Sequence, residues 1–210
     1  MPAVIPGWSR ERSAASRGRH AIAGIDEAGR GALAGPVVAA AVILNPGDCP
    51  QAVRDSKLLS PSARERLYGE IVASARAWAV GSADSDEIDR SNILVATRLA
   101  MMRAVAALRI RPDYLIIDAV ALPELGIPLE APTGADRDVM SVAAASILAK
   151  VTRDRLVREF DARYGDYGFA SHKGYGTARH LRALSELGPS PVHRLSFRPV
   201  AFLRREPNLD

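Results

Sequence analysis

Asp26 and Glu27 stand side by side at the end of an apolar run, His20 to Ile25, and Arg30 follows between Gly29 and Gly31. Carboxylates that end a strand-like segment lie where an α/β sheet presents its site residues. Glycines on either side of an arginine let the backbone approach a ligand closely. A second short buried run, Tyr114-Leu115-Ile116-Ile117, also ends in an acid, Asp118. A further acid, Asp136 or Asp138, precedes a long helical pattern. Taken singly, each acid is equally well read as a turn or a helix cap. Two strands that each end in a carboxylate favour a metal site. Acid-only ligands select hard cations, magnesium or manganese, over zinc. The chemistry this suggests is a carboxylate metal centre beside a backbone-and-arginine grip on phosphate, suited to in-line phosphodiester displacement.

Other chemistries fit less well. No His-x-x-x-His or cysteine pair offers zinc ligands, and Cys49 is the only cysteine. Ser146 sits in an alanine-rich helical stretch rather than on a Gly-x-Ser-x-Gly turn, which argues against a serine nucleophile. A glycosidase-like acid pair would want an aromatic groove, and aromatics are only 5% of the chain. His172-Lys173-Gly174-Tyr175-Gly176-Thr177 places a tyrosine between glycines on a loop, able to stack on a sugar or base. His172, His180 and His193 receive no catalytic role. Nearly all the positive charge is arginine, and the only lysines are Lys57, Lys150 and Lys173. Such lysines mark places where a flexible point charge is wanted.

The elements that must position these groups follow from the pattern. The first strand leads into Asp26-Glu27, and Pro36 to Leu44 returns as a second. Ser60-Pro61 starts a helix with Leu67, Ile71 and Ala75 on one face. Ala77 to Ser82 is a third strand, Asp84 to Asp89 a polar acidic segment, and about 92–108 a helix with a stripe through Leu94, Leu99, Met102 and Val105 or Ala106. A strand ends at Asp118, and a short one is placed near 126–129. A long helix over about 139–163 has an alanine-rich face, with Leu156, Val157 and Phe160 inward and arginines outward. Gly165 to Gly176 reads as loop, and Ala178 to Leu187 as a last helix stopped by Gly188-Pro189. Residues 1–19 look like a mobile basic tail, 20–200 one catalytic domain, and 201–210 a second tail.

A chain of 210 residues with 48% hydrophobic residues can bury one substantial core. A formal net charge of +4 is mild evidence for an anionic partner. The longest apolar run, Val37 to Leu44, is too short to span a membrane, and residues 1–19 lack the apolar core of a secretory signal. A cytoplasmic monomer is expected, with no protein partner.

The motifs then resemble a known family. Asp26-Glu27-Ala28-Gly29-Arg30-Gly31 followed by Leu33-Ala34-Gly35-Pro36 is similar to the signature of ribonuclease HII, the type 2 ribonucleases H. The likeness runs through Asp55-Ser56-Lys57, Asn92-Ile93-Leu94, Ile117-Asp118, Ala143 to Lys150, His172 to Thr177, Gly188-Pro189 and His193-Arg194-x-Ser196-Phe197. The resemblance implies an α/β ribonuclease H-like fold, a mixed five-stranded sheet flanked by helices, with a small helical C-terminal part at about 165–200. It implies hydrolysis of RNA in RNA–DNA hybrids and nicking of duplex DNA 5′ of embedded ribonucleotides, with magnesium or manganese. Metal-binding acids fall on Asp26, Glu27, Asp118 and Asp136. Asp136 is chosen over Asp138 because the family's acid lies ten residues before the serine matching Ser146; it would position a second metal or help deliver a proton. Gly134-Ala135 replaces the family's usual Lys-Gly, and Leu58 stands where a second lysine is common. Gly29, Arg30 and Gly31 would read the 2′-hydroxyl and adjacent phosphate, and Tyr175 would stack on the neighbouring deoxyribose. Lys57 and Lys173 would contact nucleic acid. A DNA nuclease with a similar acid cluster, and a hybrid-binding protein that does not cut, are the competing readings.

Overall fold

The computed structural model describes residues 5–54 and 56–203. Asp55, quoted above, and residues 1–4 and 204–210 of the two expected tails lie outside the described residues. A five-stranded mixed sheet has the order β3-β2-β1-β4-β5. Its strands are β1 (Ile22–Ala28), β2 (Val37–Ile43), β3 (Ala77–Ala83), β4 (Tyr114–Ile117) and β5 (Leu129–Glu130). β1, β2 and β3 form an antiparallel meander, β4 adds to β1 in parallel, and β5 adds to β4 in parallel. Every residue of β2 is buried, as expected of a strand covered on both faces.

The two faces have different covers. Helix α4 (Ile93–Ala106) packs on one, over Ile25, Val37 and Ile117. Helices α2 (Pro61–Ser74) and α6 (Met140–Arg163) cover the other, over Ala40 and Val42. Ser60 caps α2 by accepting from the Ala63 N–H at 3.2 Å, with Pro61 in the first turn as the sequence suggests. A third, smaller core joins Leu33 and Ala34 to Tyr167, Phe169 and Leu184. It supports the helical C-terminal part: α7 (Phe169–His172), α8 (Ala178–Leu187) and α9 (Arg198–Leu203). No helix among the described residues is long and apolar enough to cross a membrane.

Some local expectations are corrected. Residues 9–16, expected in a mobile tail, form helix α1 (Ser9–Ser16). Its anchor is Glu11, which accepts from the Ser141 N–H and Oγ at 2.9 Å each, while Gly7 N–H donates to the Asp138 carbonyl at 3.0 Å. The acidic segment after β3 is helix α3 (Ser85–Arg90), closed by a reciprocal cap between Asp84 and Glu87. On α4 the inward stripe is Ala96, Ala100 and Ala104 with Met101 and Val105, and Leu94 is 48% exposed. Small residues win because the helix backbone lies against Gly81, where a Cβ would sit 2.2 Å from the Ala100 carbonyl oxygen. Gly24 of β1 meets the start of α6 in the same way, 2.2 Å from Ser141 C. Arg153 of α6, expected outward, is fully buried.

Candidate active site

Pairing between β1 and β4 sets Ile25 opposite Ile117, so Asp26 of β1 and Asp118, the residue after β4, both follow the last paired residues of neighbouring parallel strands. The Asp118 N–H donates to the Ile25 carbonyl at 3.1 Å, which fixes that junction. Adjacent strand residues start toward opposite faces. Asp26 and Glu27 nevertheless both line one cleft, at the C-terminal end of β1. The cleft holds about 270 Å³ and is lined also by Gly29, Arg30, Gly31, Ser56, Lys57, Asp118, Ser146, Lys150 and Tyr175.

The acids act on one another. Burial holds the Asp26 carboxyl well above the ordinary carboxylate range, and the charges of Glu27 and Asp118 add to this against a hydrogen bond from Ser146. Burial also raises Glu27, opposed by Arg30, whose Nη1 lies 3.2 Å from Glu27 Oε1. Asp118 is raised by burial and by Asp136, opposed by the Ala135 N–H, which donates to its Oδ1 at 2.8 Å. Asp136, 3% exposed, opens helix α5 (Ala135–Asp138) and takes Lys57 Nζ at 2.8 Å. Neither Asp136 nor Asp138 is among the residues that line the cleft. Asp136 is buried and its charge acts on Asp118, whereas Asp138 is exposed.

The donor set suits a hard divalent cation. All four side chains offer oxygen, three have raised pKa values, and Glu27 Oε2 is buried with no hydrogen-bond partner among the described residues. As placed, no group of three or more His, Cys, Asp or Glu among the described residues could hold a metal ion. Asp118 and Asp136 are engaged by Ala135 and Lys57 instead.

Two buried arginines shape the loops above the acids. Arg194 donates to the carbonyls of Gly35, Arg30 and Gly29 at 2.9, 2.8 and 2.8 Å. Arg153 donates to Pro36, Ala34 and Lys173 at 3.0, 3.1 and 3.0 Å, so one guanidinium ties the Ala34–Pro36 segment that follows the glycine turn to the start of the Tyr175 loop. Burial lowers Arg194 to about 9, still well above neutral pH, and lowers Arg153 in the same direction. Arg153 also lies 5.4 Å from the centre of the Tyr175 ring, with Lys150 Nζ at 5.9 Å. Tyr175 remains 37% exposed.

A chain of three histidines sits behind Tyr175. His172 Nδ1 accepts from Gly174 N–H at 3.2 Å, so its Nε2 donates to the Tyr167 carbonyl at 2.8 Å. His193 Nδ1 accepts from Ser190 N–H at 2.9 Å, so its Nε2 donates to His180 Nε2 at 2.9 Å. His180 Nδ1 then donates to the Tyr175 carbonyl at 3.0 Å. All three rings are neutral in this arrangement.

Lys57 lines the cleft, as the sequence suggests. Lys173 does not; its Nζ turns to the Ala170 carbonyl, and its own carbonyl receives Arg153. Lys150 lines the cleft without having been singled out as a contact, although its rarity in this arginine-rich chain was a signal. Ser56 and Ser146, whose hydroxyls meet at 2.9 Å, carried none.

A model of the ribonuclease HII family matches residues 23–200. The chain belongs to the ribonuclease HII family. It is 50% identical over 204 residues to the ribonuclease HII of Dehalococcoides mccartyi, covering 95% of this chain and 97% of that one. It is 54% identical over 183 residues to that of Coxiella burnetii, covering 87% and 91%. In fold it is similar to the ribonuclease H2 of Pyrococcus horikoshii, with TM-score 0.77, 28% identity, and 88% and 97% of the two chains covered. It is similar also to the ribonuclease HII solved with PCNA from Archaeoglobus fulgidus, with TM-score 0.74, 29% identity, and 89% and 98% covered. This kinship makes the chain a ribonuclease H, with the mixed-sheet fold its motifs implied.

Proposed function

We propose that this ribonuclease is a metal-dependent endonuclease. It cuts RNA in RNA–DNA hybrids and nicks duplex DNA on the 5′ side of embedded ribonucleotides, leaving 3′-hydroxyl and 5′-phosphate ends. The observation that carries this reading is one cleft shared by Asp26, Glu27 and Asp118 with the Gly29-Arg30-Gly31 turn and Tyr175. Asp26, Glu27, Asp118 and Asp136 would hold the metal. When bound, magnesium or manganese supplies Lewis-acid activation of water and neutralises charge at the leaving 3′-oxygen.

The chain's own residues do the rest. Asp26 and Asp118 are fixed by their places at the strands and by bonds from the Glu27 and Ala135 N–H groups at 2.7 and 2.8 Å, so little reorganisation is needed on binding substrate. Lys57 and Lys150 place point charges in the cleft for the phosphates either side of the cut. With its Gly29 and Arg30 carbonyls drawn inward by Arg194, the turn can offer its outer edge to the ribose. The 2′-hydroxyl is what separates RNA from DNA at one position, and Tyr175 would close on the next sugar. The setting would be DNA replication and ribonucleotide excision repair in the cytoplasm. The Archaeoglobus relative was solved with PCNA; no protein partner is proposed here.

The test is cleavage of an RNA–DNA hybrid, with magnesium or manganese, by the protein and by Asp118→Asn. The variant should bind the hybrid and leave it intact. Retained turnover would remove Asp118 from the metal set, and a wild-type protein that binds without cutting would be a binding protein only.

A further inference from the structure

The end of the sheet away from the cleft carries a second charged surface. Arg12, Arg19 and Arg76 line one hollow of about 230 Å³ with Trp8 and His20, and Arg19 and Arg111 line another. Arg109 Nε donates to the Arg76 carbonyl at 2.7 Å, and Arg17 donates to the Tyr114 hydroxyl at 3.2 Å. These contacts join six arginines from separate segments into one face; the fold gathers them, not a basic run. All but the half-buried Arg19 are exposed.

None of the six pairs with a carboxylate among the described residues, whereas Arg66, Arg98, Arg103, Arg155 and Arg158 do. The acids within this region are already engaged. Glu11 is buried on Ser141, Asp113 accepts from the N–H groups of His20 and Ala21, and Glu130 pairs with Arg10. Glu11 and Asp113 line the same hollows, so two carboxylates stand among six arginines, and the positive charge that remains favours an anionic partner.

We infer that this face binds the phosphate backbone of nucleic acid, at a segment of duplex distinct from the one in the cleft. Ile22 marks this end of β1, and Asp26 lies four residues on, about 13 Å at the usual strand rise. The patch therefore does not reach the scissile phosphate. Guanidinium forks match phosphate oxygens, so the binding is independent of sequence and strongly salt-dependent. The choice of nucleic acid over another polyanion rests on the proposed function, whose substrate is itself a long polyphosphate. Contact with a second segment would keep the enzyme on DNA while it searches for rare ribonucleotides.

The side chains of Arg12, Arg19 and Arg111 make no hydrogen bond or ion pair among the described residues, so removing them breaks no internal polar contact there. The triple variant Arg12→Ala/Arg19→Ala/Arg111→Ala is compared with wild type in binding a long ribonucleotide-free duplex across about 50–200 mM salt. The expected result is weaker binding and a salt slope shallower by about 2–3, at about 0.9 per lost phosphate contact. The triple lysine variant should keep most of the slope. Cutting of a short duplex that only fills the cleft should be unchanged, while turnover on a long duplex with sparse ribonucleotides falls several-fold. Equal slopes and affinities for the alanine variant and wild type would overturn the inference. So would an equal loss on the short duplex, or binding lost to an acidic peptide with duplex binding intact. Failure to cut the short duplex at all would sink the ribonuclease reading, and the salt slopes would still decide this one.

Discussion

Gly29 and Arg153 occupy a space that one methyl group would fill: a Cβ at Gly29 would lie 2.0 Å from Arg153 Nε, and the Gly29 φ of +96° already favours glycine. Arg153 cannot retreat cheaply, because three backbone carbonyls hold its guanidinium. Gly29→Ala should therefore destabilise the protein by about 1–3 kcal/mol. It should also cut single-ribonucleotide nicking by about tenfold or more, since 1.4 kcal/mol of lost transition-state positioning is a factor of ten. Thermal unfolding and steady-state rates check this. Wild-type values for both would show that the close approach serves nothing.

Asp26 tests the link between charge crowding and metal. Its pKa is raised in the folded protein, so the ionised group opposes folding, and that penalty grows as pH rises above the ordinary carboxylate value. Asp26→Asn should raise the unfolding temperature of metal-free protein at neutral pH, by about 2–4 °C for each kcal/mol recovered in a chain of this size. It should abolish cleavage at the same time. Magnesium or manganese should stabilise wild type and stabilise the variant much less. A variant that is less stable without metal, or equally stabilised by it, would contradict the crowding account.

The main-sheet strands and the acids at their ends were legible because apolar runs that stop at a carboxylate carry both signals at once, as Ile25-Asp26 and Ile117-Asp118 do. The start of α2 was legible from Ser60-Pro61. What escaped depended on partners far along the chain. Helix α1 is polar in sequence, and its anchor, Ser141, lies 130 residues from Glu11. The α4 stripe was read from the largest side chains, but Gly81 lets the alanines approach and turns Leu94 out. Buried Arg153 and Arg194 contradict the rule that charge faces water. Only the backbone carbonyls of turns they support explain them, and those bonds have no local pattern.

The histidine chain predicts a pH-dependent stability. Burial and the neighbouring His180 and His172 hold His193 neutral down to about 4, against 6.5 for an ordinary histidine. Tyr167 and Phe169 rings pack around it, and Ser190 donates to its Nδ1. A lowered folded pKa gives stability that is fully present above about 6.5 and lost as pH falls through about 4. The raised acids have the opposite sign, so the informative quantity is the difference between wild type and His193→Gln. That difference should shrink steadily across the window in thermal melts. A difference constant with pH would mean that His193 does not titrate there.

Tyr175 is predicted to matter at junctions more than within RNA tracts. It sits on Arg153, across the cleft from the acids' strand ends, and stays open to a neighbouring sugar. Tyr175→Ala removes a stacking contact worth about 1–3 kcal/mol, roughly 5- to 150-fold. The loss should fall mainly on duplexes with a single ribonucleotide. An equal loss on long hybrids would argue against junction reading.

The central claim is that the acids cut where the glycine turn and Tyr175 recognise one ribose. The most direct measurement maps the cut and its end groups on a duplex carrying a single ribonucleotide, beside an all-DNA duplex, with magnesium or manganese present. The account predicts one nick on the 5′ side of the ribonucleotide, with 3′-hydroxyl and 5′-phosphate ends and no cutting of all-DNA. Equal cutting of both duplexes, or a nick on the other side of the ribonucleotide, would contradict it.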